Sequence, residues 1–153
     1  MADRRDEDEL ATRDALRALA RSAKSEAALR AQLERRHPIG AVARALASLR
    51  AGGWIDDARA ARELAGRLVE RDLLALAGVR ARLRERGFDE TTVAAALEAL
   101  EVDEARGLTA LAARTPFDRR HPQRLAARLT RAGYDAEAVA ELVARLLEQT
   151  ADG

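Results

Sequence analysis

Residues 79–100 read VRARLRERGFDETTVAAALEAL, and this stretch decides the fold. Val79 and Leu83 mark an apolar stripe on one helix. Gly87 stands where a helix C-terminus wants a residue that tolerates positive φ. With Gly87 as the residue just past the helix, Phe88 and Leu83 should meet, as in a Schellman cap. Asp89 suits the N-cap of the next helix. Phe88 and Val93 then hold the positions of a hydrophobic staple, so one ring locks two helix ends.

The pattern returns 46 residues later in LAARLTRAGYDAEAVAELVARL. Leu125, Leu129, Gly133, Tyr134, Asp135, Val139, Val143 and Leu146 match Val79, Leu83, Gly87, Phe88, Asp89, Val93, Leu97 and Leu100 without a gap. A weaker copy, LRAQLERRHPIGAVARALASL, keeps Leu29 and Leu33. Val42, Leu46 and Leu49 follow one residue early, and His37-Pro38 replaces the glycine turn. Three copies make a tandem helical repeat and an all-α chain.

Outward from the repeats, 1–9 is almost wholly charged and is expected to be a disordered tail. The first three-helix unit is expected over 10–53. Its helices run from Leu10 to about Ala23, from a Ser25 N-cap to about Arg36, and from Ile39 to Arg50, with Gly52-Gly53 as its close. The second unit is expected over 54–101. Asp56 or Asp57 caps a helix reaching about Arg71, and DLLALAG, residues 72–78, reads equally as a turn or a helical extension. The third unit is expected over 102–150. Its helices run from about Val102 to Arg114, Gln123 to Ala132 and Ala136 to Gln149, the first stopped at Thr115-Pro116.

Composition narrows the function. The 153 residues are rich in Ala, Leu, Arg and Glu, with three prolines and no cysteine. Disulfide and thiolate chemistry are therefore excluded, and a reducing cytosol suits the chain. No signal peptide and no apolar run long enough to span a membrane is present. The 27 basic and 26 acidic side chains leave a net charge of +1, so any basic surface must be local. No HExxH and no GxxxxGK[ST] motif occurs, and His37 and His121 read as ordinary surface histidines. No metal, cofactor or catalytic residue is called for. Asp56-Asp57 reads as a cap, because adjacent helical residues point apart.

The informative charges are arginines on the middle helix of each unit. The first unit offers Arg30, Arg35 and Arg36, the second Arg80, Arg82, Arg84 and Arg86, the third Arg124, Arg128 and Arg131. Arg82 and Arg128 occupy equivalent repeat positions and should project in related directions. Arg124, Arg128 and Arg131 share one helical face. Trp54, followed by Ile55 between two units, reads as a packing anchor. Gly87, Phe88, Gly133 and Tyr134 are turn and staple residues.

This order of features resembles the RecX family of regulators of the bacterial recombinase RecA. SEAALRAQL, GGWIDDAR and RARLRERGFDETTVAAAL carry the resemblance, which spans about Leu10 to Leu147. It implies tandem three-helix repeats in an elongated, curved, right-handed stack. It also implies a cytoplasmic, monomeric, non-enzymatic protein. Such a protein would bind the RecA–DNA filament and restrain strand exchange and ATP turnover in DNA repair and recombination. Direct binding of single-stranded DNA is left open. The chain departs from the family at Ala28, Ala60 and DLLALAG. The alternatives are a helix-turn-helix DNA-binding protein and a helical scaffold for another partner. Base readout would need basic or amide side chains on ETTVAAALEAL, which has none.

Overall fold

The two glycine turns form as their chemistry dictates. In the computed structural model, which describes residues 3–151, Gly87 has φ 88° and Gly133 φ 95°. The Phe88 N–H donates to the Leu83 carbonyl and the Gly87 N–H to that of Arg84, which is the Schellman hydrogen-bond pair. Tyr134 and Gly133 repeat it onto Leu129 and Thr130. Phe88 and Tyr134 are both buried. The Asp89 carboxylate accepts from the Thr92 N–H at 2.8 Å, and Asp135 accepts from those of Glu137 and Ala138. Asp89 is held below its usual pKa first by the backbone N–H of Thr92.

Among the described residues the regular structure is nine α-helices. They are α1 (Arg4–Arg21), α2 (Glu26–Leu33), α3 (Ile39–Ala51), α4 (Asp57–Glu70), α5 (Leu76–Glu85), α6 (Glu90–Glu98), α7 (Glu104–Arg114), α8 (Pro122–Arg131) and α9 (Ala136–Gln149). The chain falls into two compact bodies, within Met1–Leu64 plus Leu83–Ala96 and within Ala65–Arg82 plus Leu97–Gly153. The sequence repeats and these bodies do not coincide, because α4, α5 and α6 each give a segment to both. In the first body Ala15, Ala18, Leu29, Leu33, Val42, Leu46, Leu49 and Ile55 form the core. In the second the core is Ala75, Leu108, Leu111, Leu125, Leu129, Ala132, Tyr134, Val139 and Leu142.

Two expectations are corrected, and one left open is resolved. Of the stretch expected as a disordered tail, Met1 and Ala2 lie outside the described residues, but α1 begins at Arg4 and runs through the acidic residues. Asp8 grips Arg44 of α3 with both carboxylate oxygens at 2.8–3.1 Å, and Ala11 is buried with Ala41 and Ala45. Small side chains let the two helices approach closely, and the ion pair fixes the charged turn against α3. DLLALAG is a turn followed by the start of α5. Leu73 has φ 56° and the Leu74 N–H donates to the Leu68 carbonyl, so the chain turns back onto the end of α4 through a leucine in the left-handed conformation that glycine favours. Trp54 is not a packing anchor. It is 66% exposed, whereas Ile55 beside it is 8% exposed and belongs to the first core. A further Schellman pair at Gly53 (φ 77°) turns the chain so that the second residue after the glycine, not the first, enters the core.

One junction is built twice. Matching Leu29 to Val79 makes Ser25 the counterpart of Ala75. The Ser25 N–H donates to the Arg86 carbonyl, one residue before Gly87; the Ala75 N–H donates to the Ala132 carbonyl, one residue before Gly133, each at 3.0 Å. The next N–H in each helix is met by a carboxylate: Glu26 by Asp57 and Leu76 by Glu104, each at 2.9 Å. Two orphan donors at the start of α2 and α5 are thereby satisfied. The close approach needs small residues. A methyl group on Gly87 would lie 2.5 Å from Ser25 Oγ and 2.8 Å from Ala28 Cβ, and one on Gly133 would overlap the backbone of Gly78.

Candidate functional site: an arginine-lined cleft

The second body opens a cleft of about 470 Å³ where the ends of α4 and α7 meet the flanks of α5 and α8. Arg82 of α5 and Arg128 and Arg131 of α8 line it, so three of the seven sequence-selected arginines meet there. Arg71 and Arg114 also line it, and among the described residues Asp72 is its single carboxylate. All five arginines are exposed. The Arg114 guanidinium donates to the Arg71 carbonyl at 3.1 Å, which holds the two helix ends together. Leu74, Leu111 and Ala132 supply an apolar floor.

Fixed helices set this geometry. The Ala75–Ala132 hydrogen bond, the Gly78–Gly133 approach and the Leu76–Glu104 contact lock the start of α5 to the end of α8 and to α7. Tyr134 adds a bond from its hydroxyl to the Leu73 carbonyl at 2.5 Å, and the same oxygen fills the space above Gly107. Burial pushes the Tyr134 hydroxyl above its usual pKa, with Glu104 adding to the effect. Long cations with planar, forked donors on such a frame suit carboxylates or phosphates bound two-pronged.

The other selected arginines do not share the cleft. Arg84 is paired with Glu90 at 2.5 and 3.0 Å, which raises its pKa. Arg86 donates to Ser22 Oγ and to the Ala23 carbonyl and so braces the first body. Arg80 is half-buried and Arg124 is exposed, and neither lines the cleft. Sequence reasoning missed Arg71 and Arg114 because it searched the middle helices. The available signal was a basic residue at or just beyond the last turn of α4 and α7, where a cation offsets the helix dipole.

The adjacent aspartates have separate duties. Asp56 caps α4, accepting from the Arg59 N–H at 3.1 Å. Asp57 accepts from Glu26 across the junction, and burial pushes its carboxyl up, with Glu26, Asp89 and Asp56 adding to the rise. His37 is bonded through Nε2 to Asp14 at 2.8 Å, joining α1 to the α2–α3 turn. Among the described residues no cluster of three or more His, Cys, Asp or Glu is placed to hold a metal. No helix of the described chain is long and apolar enough to cross a membrane.

No family model matches the sequence, and no curated protein matches it. Solved structures do. The chain is similar to a structure described as regulatory protein RecX, with 25% identity and a TM-score of 0.64 over 93% of this chain and 73% of that one. It is also similar in fold to RecX from Lactobacillus salivarius, with 14% identity and a TM-score of 0.65 over 94% of this chain and 98% of that one. The all-helical architecture agrees with those likenesses, which support an assignment of the chain to the RecX family.

Proposed function

We propose that this chain is a non-enzymatic regulator that binds the filament of a RecA recombinase on DNA and restrains strand exchange and ATP turnover. One observation carries the reading beyond family membership. Five arginines of a chain with net charge +1 converge on one cleft that holds a single carboxylate. Such a local surplus speeds encounter with an acidic partner and fixes its register. Nothing in this role needs a cofactor or a membrane. We place the protein in the cytoplasm, where RecA acts, as a monomer.

The alternative, base-reading DNA binding, is disfavoured by α6. As the second helix of its helix–turn–helix it reads ETTVAAALE, without a basic or amide side chain to contact a base edge. A scaffold for an unrelated partner would use the same cleft without preferring RecA. Affinity should therefore be compared for RecA assembled on single-stranded DNA, RecA alone and the same DNA naked, at one salt concentration. Tightest binding to the assembled filament is expected. Equal binding to naked DNA would replace the regulator reading with direct DNA binding, and no binding to either form of RecA would favour the scaffold.

A further inference from the structure

The first body holds a second cationic cleft at the matching junction, about 750 Å³ in volume, beside the end of α1 and the flank of α2. Arg21, at the end of α1, is the repeat counterpart of Arg71, and Gln32 that of Arg82. The cleft is lined by Arg17, Arg21, Lys24, Arg35, Arg36 and Arg86, against the carboxylates of Asp14 and Glu85. Asp14 is engaged by His37. Six cations face two carboxylates here, and five face one in the second body, so each cleft has a surplus of four positive charges. The two clefts follow from the junction built twice, since the Ser25–Arg86 and Ala75–Ala132 hydrogen bonds bring the same parts of the repeat together.

We infer that both clefts receive acidic, extended peptide segments of a protein partner, so that the chain carries two anion sites, one in each body. This rests on the reading of the Arg82–Arg128 cleft as a partner surface. The lining chemistry separates peptide from nucleic acid. Neither cleft is lined by Phe, Tyr or Trp, so neither has the stacking platform on which single-stranded DNA binding relies. Both have aliphatic floors, Ala18, Ala28, Ala31 and Leu33 in one and Leu74, Leu111 and Ala132 in the other. A peptide in extended form offers side chains alternately to opposite faces, so carboxylates can meet the arginine walls while small apolar groups meet the floor.

The test uses the full chain with a short peptide of alternating glutamate and alanine, and oligothymidine of the same length, by fluorescence anisotropy and calorimetry. Two peptides per chain are expected, with weaker binding of oligothymidine. Arg21→Glu with Arg36→Glu should remove one peptide site, Arg82→Glu with Arg128→Glu the other, each weakening its site by about tenfold or more. The corresponding Arg→Gln pairs repeat the comparison without reversing charge, and circular dichroism verifies the fold. A single peptide site untouched by changes at Arg21 and Arg36, or oligothymidine bound as tightly as peptide, would overturn the inference. Filament binding measured on the same samples separates the two readings. A chain that binds filament but not peptide refutes only this inference, and one that binds peptide at two sites but not filament refutes only the regulator role.

Discussion

At the scale of single residues, the glycines at the junctions differ in what surrounds them. Gly53, Gly87 and Gly133 all have positive φ, but space is open around Gly53 alone of the three. Gly53→Ala should cost about 1 kcal/mol, the strain of a side chain in the left-handed region. Gly133→Ala adds a clash with the Gly78 backbone, which has no side chain to swing aside, so about 3 kcal/mol or more is expected. Denaturant midpoints of the two variants check this, and equal shifts would mean that the Gly78–Gly133 approach is wrong. Titratable residues give a second test. Asp14 is held below its usual 3.8, first by its bond to His37, so its contribution to stability is present above that pH and lost as pH falls through its depressed value. Tyr134 is raised above 10.0 by burial, so its contribution is complete below pH 10 and lost as pH rises further. Asp14→Asn should flatten the acid limb of a stability–pH profile and Tyr134→Phe the alkaline limb. Tyr134→Phe should also cost about 1–3 kcal/mol, because the Leu73 carbonyl loses its donor.

At the scale of elements, what was legible in the sequence was what local chemistry determines. Glycine, aromatic and aspartate in a row specify a helix end, a turn and a helix start within three residues, and both such turns formed. The start of α1 was not legible, because it depends on Asp8 meeting Arg44, 36 residues away. Leu73 was not legible either. A leucine with positive φ is stabilised by core packing and by the Tyr134 hydroxyl from distant parts of the chain, not by its own preference. GWIDD announced a structural element, but its burial follows the direction in which the Gly53 turn sends the chain. Hence Ile55→Ala should cost about 2–4 kcal/mol and Trp54→Ala under about 1 kcal/mol, read as shifts in thermal or chemical midpoint. The reverse order would restore Trp54 as the anchor.

At the scale of the whole molecule, the repeat matters because one junction forms twice, the end of α5 against the start of α2 and the end of α8 against the start of α5. Arg82 and Arg128 could be paired on paper by their spacing of 46 residues, and they do line one cleft. Arg71 and Arg114 join them from helices whose ends come together only on folding. Arg84 and Arg86, neighbours in sequence, are diverted to Glu90 and to Ser22 and Ala23. Spacing thus revealed the centre of the cleft but not its rim, since the rim is assembled by tertiary contacts. The central claim is that this cleft is the surface that meets the recombinase filament. The most direct test is the affinity of Arg82→Glu with Arg128→Glu for RecA on single-stranded DNA, measured beside the wild type and with inhibition of ATP turnover followed in parallel. Exposed charges contribute about 1 kcal/mol or less to stability, so the variant should stay folded while affinity falls by about tenfold or more, mainly through association rate and its salt dependence. A folded variant that binds and inhibits the filament as the wild type does would contradict the account.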